Sequence, residues 1–521
     1  MTFRRSFLVI ALAMLAWPAH AADINKEGAA RVKTLVESFI AEQKKLTEID
    51  GVTKVEYQGE VLVEEAGEFY AVTLPYTKLI NASSEQVDIG MVSINVSPAD
   101  EPGQWKMRIA VPTPIVITDK TGAEIMRVTV GGQRAAGIWD EKLQSFVKLD
   151  ALYKDVAFTG PDGSVKIPET KIIYDFVKDA AGKWSGPGSI NLKNIDATGV
   201  KDSSAFKAAA VNIDFAIDQY DSAAIKTYRE KLAGLAESLA RDATQNGQIS
   251  TAHTTAIANM MMDFFSGAGN GVKIRYNITD LKISKIDPAT SKPHSLTLPK
   301  AFAGLDLNGF TTGKVRLALQ AGHDGLIVTP EPAQKGLTPT KSNIDILIEN
   351  IPVKEIVGLG KNTMDATIQQ PEMQKLAGIS FLFKLPALLS QAGTHMAVTN
   401  SYIGNADIDM KLEGRARADI SAVNSATVDA KATIRGLDLL IARLKEQQKA
   451  GTALDQQKLG MTITQLEQIK QKAKVQKTAD GQELHVIEFV MNPQGQILLN
   501  GNDVRGGTPA GIEKPAPVPT P

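Results

Sequence analysis

Between residues 211 and 218 the side chains alternate strictly, Val211, Ile213, Phe215 and Ile217 against Asn212, Asp214, Ala216 and Asp218. A two-residue period places the two sets on opposite faces of an extended strand, so this stretch belongs to a sheet with one dry and one wet face. Tyr220 and Asp221 end the alternation, and Asp221 suits a helix N-cap. Behind it Ile225, Tyr228, Leu232, Leu235 and Leu239 recur at helical spacing and form one apolar stripe.

The same grammar returns twice. Ile344, Ile346 and Ile348 alternate, Ile351 follows three residues later, and Pro352 opens a helix carrying Val353, Ile356 and Val357. Val428, Ala430, Ala432 and Ile434 alternate, Leu437 follows three residues later, and Asp438 is the expected cap of a helix carrying Leu440, Ile441 and Leu444. The expected fold class is therefore α+β. It is mostly antiparallel β-sheet built from repeated strand-turn-helix units, elongated, with amphipathic helices packed on the sheets.

Arg4 and Arg5, the apolar run 7–17 and Ala19-His20-Ala21 read as a secretory signal with a small-x-small cleavage site. The expected location is the periplasm, reached through the inner membrane with cleavage of residues 1–21. The chain has no cysteine, which excludes a lipoprotein anchor, disulfides, thiolate metal sites and thiol nucleophiles. Its 57 basic and 58 acidic residues leave a net charge of −1, which gives no electrostatic case for nucleic acid or for an anionic membrane surface. No apolar run past the signal is long enough for a transmembrane helix, and 6% aromatic residues fit poorly with the girdles of an outer-membrane barrel.

The expected organisation is a signal at 1–21, a β-rich half at 22–266 ending in two helices, a second β-rich half with helices at 267–505, and a disordered Pro-rich tail at 506–521. A helix is expected over 23–48. Strands follow, separated by turns such as Lys120-Thr121-Gly122 and Gly160-Pro161-Asp162-Gly163. Where Val87, Ile89 and Met91 give way to Val92, Ile94 and Val96, the apolar phase slips by one residue, and a bulge is expected. The stretch 373–389 is apolar and helical with Pro386 inside it. Thr464 and Glu467 have the spacing of a capping box.

Catalytic patterns reduce to coincidence. Ser145-Phe146-Val147-Lys148 and Ser204-Ala205-Phe206-Lys207 both match S-x-x-K, but Lys120-Thr121-Gly122 precedes both and sits in a turn, and no G-x-S-x-G occurs. Gly267-Ala268-Gly269-Asn270-Gly271 follows a helix and precedes a strand, the reverse of a pyrophosphate loop. His253, His294, His323, His395 and His485 lack metal-ligand spacing and read as surface or loop residues. Asp407 and Asp409 share one strand face and read as solvated. No catalytic, metal or cofactor residue is expected, and no cofactor. In the helix at 251–266, Met260, Met261, Phe264 and Phe265 are the candidate contacts for an apolar ligand, against the plainer reading that they are core.

The segment 428–444, VDAKATIRGLDLLIARL, resembles the YdgA-like bacterial envelope proteins, and 484–499, LHVIEFVMNPQGQILL, resembles the closing strand pair of related alphaproteobacterial proteins. The resemblance implies an envelope location and a β-rich repeat build, and it brings no catalytic residues. The expected function is that of a non-enzymatic periplasmic protein binding lipid, another apolar ligand or an envelope protein partner along an apolar sheet face. The alternative is an envelope hydrolase whose site assembles from residues distant in sequence.

Overall fold

The computed structural model describes residues 24–48, 53–143, 145–200, 204–225, 269–287, 290–331, 336–369, 374–450, 453–479 and 481–504, with single positions between 227 and 267. The signal at 1–21, the tail at 506–521, His253, and Leu232 and Leu239 of the first unit lie outside the described residues. Of the described residues 55% are strand and 23% helix, and the ladders are antiparallel, which is an α+β build. Two compact units form: 1–317 with 323–330 and 353–378, and 318–322 with 331–352 and 379–521.

The first unit opens with α1 (Lys26–Glu48), and Asn25 caps it by accepting the Gly28 amide at 2.8 Å. Short strands follow: β1 (Thr53–Gln58), β2 (Leu62–Glu65), β3 (Tyr70–Thr73), β4 (Tyr76–Asn81), β5 (Gln86–Gly90), β6 (Ser93–Pro98), β7 (Gln104–Ala110) and β8 (Ile115–Thr118). Val32, Val36 and Phe39 of α1 pack into their core with Tyr70, Val72, Trp105 and Trp139. Trp139 and Phe146 meet edge to face at 5.1 Å. The phase slip before Val92 has the expected bulge beside it, where Gly90 and Asp88 face the consecutive Thr77 and Lys78 and leave Ile89 extra on β5, and it also has a corner. Gly90 has φ 81°, β5 pairs with β4 and β8, and β6 pairs with β3 and β7, so the chain changes neighbours there.

Long strands come next: β9 (Glu124–Asp140), β10 (Ser145–Gly160), β11 (Gly163–Asp175), β12 (Val177–Lys178), β13 (Trp184–Gly199), β14 (Ala205–Tyr220), β15 (Gly271–Ile286) and β16 (Pro293–Asn308). The order β9, β10, β11, β13, β14, β15, β16 is a meander, and β14 and β15 are neighbours across the segment that separates them in sequence. A line of irregular residues crosses all seven at one register level: Gly131, Asp155, Pro168, Asn194, Ala209, Asp280 and Pro299. Asp155, Asn194 and Asp280 have φ of 51°, 55° and 50°, a left-handed conformation that Asp and Asn tolerate best after glycine.

The consequence is a crease that preserves the dry face. Apolar residues are two apart on either side of it and three apart across it, as in Leu192 to Ile195, Ala208 to Val211, Ile278 to Leu281 and Leu298 to Ala301. An unkinked strand with this sequence would turn half of its apolar set to water.

The remaining strands are β17 (Val315–Asp324), β18 (Ile327–Thr329), β19 (Lys341–Ile351), β20 (His395–Gly404), β21 (Asp409–Ala418), β22 (Ala426–Arg435), β23 (Lys474–Lys477), β24 (Glu483–Met491), β25 (Ile497–Leu499) and β26 (Asn502–Asp503). The helices are α2 (Val353–Gln369), α3 (Gln374–Ala392), α4 (Leu437–Ala450) and α5 (Ala453–Lys472). The ladder of the second unit runs β19, β20, β21, β22, β24, and Leu437, Ile441 and Leu444 of α4 pack with Ile463 of α5 and Ile434 of β22.

Two caps differ from expectation. Asp438 lies in the first turn of α4, where it pairs with Lys470, and Gly436 at φ 72° precedes the helix. Thr464 lies inside α5 with its hydroxyl donating back to the Gly460 carbonyl at 3.0 Å, so the apparent capping box is mid-helix and Glu467 pairs with Lys445 instead.

Candidate functional site: the dry face of β13 to β16

Register sets the site row by row. Ile190, Ile213, Tyr276 and Ala303 stand side by side, as do Leu192, Val211, Ile278 and Ala301, and Gly188, Phe215, Ile274 and Leu305. Beyond the crease, Ala197, Phe206, Ile283 and Leu296 make a further row. The rows extend back into the core, since Ala135, Ala151 and Ile172 continue the first of them on β9, β10 and β11 and are buried. Burial fades along the row: Ile172 is 6% exposed, Ile190 and Ile213 are half-buried, and Tyr276 is 46% exposed. Strand spacing and rise give a strip roughly 14 Å across by about 35 Å long.

The other face is charged. Lys193 pairs with Glu169 at 2.7 Å, Lys207 with Asp196 at 2.8 Å, and Arg316 with Asp306 at 3.0 Å. This division leaves the dry strip without a carboxylate or ammonium in its rows.

An aromatic group closes one end of the strip. Tyr174 stacks on Phe176 at 5.1 Å and stands 6.4 Å from Phe215. Gly188 lies between Tyr174 and Phe215 in register, and a Cβ there would meet the Phe215 ring at 2.2 Å, so glycine lets that ring lie across β13. Burial raises the Tyr174 phenol well above its ordinary pKa, with the Tyr153 phenol adding to the effect, and burial raises Tyr153 too.

Of the four residues expected to contact an apolar ligand, Met260 is buried at 8% exposure, while Met261, Phe264 and Phe265 lie outside the described residues. The S-x-x-K lysines are both ion-paired, Lys148 with Asp175 at 2.9 Å and Lys207 with Asp196. His485 is not a surface residue: it stands on β24 at 2% exposure. His395 pairs with Glu349 at 3.1 Å. Asp409, expected to be solvated, is 8% exposed at the start of β21, and Asp407 pairs with Arg443 at 2.7 Å. Among the described residues no group of three or more His, Cys, Asp or Glu is placed to hold a metal ion, and no helix is long and apolar enough to cross a membrane.

Reading single strands missed the site because its rows are built from residues far apart in sequence. The signal that marks it is the recurrent three-residue apolar step centred on Asp, Asn, Ala or Pro. Compared with known proteins, the chain matches no family model, no curated protein and no solved structure.

Proposed function

We propose that this is a non-enzymatic envelope protein of the periplasm that holds lipid or another apolar ligand along the dry face of β13 to β16. The observation that carries the reading is the half-exposure of apolar rows that are continuous with a buried core. A strip lined by aliphatic and aromatic side chains, with charge confined to the opposite face, recognises an acyl chain by burial alone.

The build proposed with it is a repeated strand-turn-helix unit. In support, Gln219, Asn350 and Gly436 all have positive φ, and each is followed by an apolar residue, Tyr220, Ile351 or Leu437, before or at the helix start. Asp221 caps the first unit by accepting the amides of Ala223 and Ala224, both at 3.0 Å. The resemblance of 428–444 to YdgA-like envelope proteins agrees with both location and build.

The test is organic extraction of the purified protein together with uptake of an apolar dye. Bound acyl lipid, and dye uptake that Ile213→Asp with Ile278→Asp abolishes, are the expected results. Protein free of lipid that takes up no dye contradicts the reading. N-terminal sequencing of the exported chain, expected to start at Ala22, tests the location.

A further inference from the structure

Helix α3 is apolar around most of its circumference, yet it is not buried. Leu376, Ile379 and Phe383 recur at i, i+3 and i+7 with Leu382 beside them, and all four are exposed, Leu382 at 67% and Phe383 at 78%. Its charged residues are Lys375 and Lys384, and it carries no carboxylate. Close to its C-terminal end, the Ile420 amide donates to the Ser390 hydroxyl at 3.0 Å, which ties the turn after β21 to the helix. That turn exposes Ile420 and Val423, and Arg415 and Arg417 precede it. The turn's one carboxylate, Asp419, is held below its usual pKa by the hydroxyl and amide of Ser421 and stays charged. Apolar side chains and basic residues therefore occur together on α3 and on the turn tied to it, with Asp429 opposite Arg415, in a chain whose overall charge is −1.

We propose that α3 is a membrane-interface helix, laying Leu376, Ile379, Leu382 and Phe383 into an anionic lipid surface with Lys384 at the headgroups. Exposed leucine and phenylalanine beside lysine, with no acidic residue, is the composition that binds in the plane of such a surface. A second copy of this chain is a poorer occupant. A two-fold contact through this face would set two copies of a basic helix together with no carboxylate on either to pair Lys384. The inference uses no residue of the dry sheet face and does not rest on the ligand proposed there.

Because the chain has no cysteine, Ile379→Cys carries a single polarity-sensitive dye in the full-length protein. Vesicles of phosphatidylethanolamine with phosphatidylglycerol should shift its emission to the blue, while the same dye at Lys477→Cys on the exposed strand β23 should not respond. Leu382→Ser with Phe383→Ser should weaken the apparent partitioning at least about tenfold. Lys384→Glu should weaken it for anionic vesicles and little for phosphatidylcholine. Three results overturn the proposal: no shift on adding vesicles, partitioning unchanged in the serine variant, or a vesicle-independent shift that grows with protein concentration, which would mark self-association. Absence of lipid in the extracted protein would defeat the sheet-face reading and leave this one standing.

Discussion

Replacing Asn194 by valine should destabilise the first unit, whereas replacing it by glycine should not. Asn194 sits at φ 55° and its side chain is exposed, so substitution removes conformational tolerance without removing packing. A left-handed conformation costs an ordinary L-residue about 1–2 kcal/mol, and β-branching adds to this. If the strand relaxed to an extended φ instead, Ile195, now 8% exposed, would turn toward water at a cost of about 1.5–3 kcal/mol, and Asp196 would leave Lys207 for the dry face. Either route predicts a loss of about 1–3 kcal/mol for Asn194→Val, while Asn194→Gly should stay within about 0.5 kcal/mol of the native chain. Asp155 and Asn194 are separated by one strand, close to 10 Å, so the costs of Asp155→Val and Asn194→Val should nearly add. Urea unfolding followed by tryptophan fluorescence reads this directly, because Trp184 is buried on β13 and Trp105 and Trp139 lie in the core of the same unit. A valine variant as stable as the native chain, or a glycine variant as weak as the valine one, would refute the crease as the device that keeps the face dry.

Asn500→Ala should cost about 2–3 kcal/mol in the second unit, measured by urea unfolding, because the buried amide donates to the Lys472 carbonyl at 2.6 Å and accepts the Glu488 amide at 2.8 Å. Gly188→Ala should displace the Phe215 ring that now crosses it, lowering stability and the near-ultraviolet dichroism of the aromatic group. Stability should also fall at alkaline pH. Tyr153 and Tyr174 keep their protons in the folded chain above the pH near 10 where unfolded tyrosine loses them, so the unfolded state binds fewer protons there. Their contribution is present below pH about 10 and is lost as pH rises toward their folded pKa values, which spectrophotometric titration should show as late-titrating phenols. Tyr174→Phe should remove part of that alkaline loss.

Local structure was legible wherever neighbours in sequence decide it. The 23–48 helix, the alternation at 211–218 and the cap at Asp221 each follow from side chains within a few residues of one another, and the structure has α1 at Lys26–Glu48 and the N-cap at Asp221. Features set by distant partners were not legible. Thr464 and Glu467 have capping-box spacing, but the preceding residues also favour helix and α4 packs against them, so the helix runs through. His485 looked like a surface residue because nothing in its neighbourhood reveals that β22 and β23 flank β24. The dry rows were half visible: each strand showed its alternation, but the slip at Asp155, Asn194 and Asp280 becomes one line only when register aligns seven strands.

The most direct test of the central claim is native mass spectrometry of the purified chain beside its Ile213→Asp, Ile278→Asp variant. The account predicts added mass of an acyl lipid on the native protein and its loss in the variant, whose carboxylates would stand in adjacent rows of the dry strip. A native chain at its bare mass, or lipid retained equally by both proteins, would contradict it.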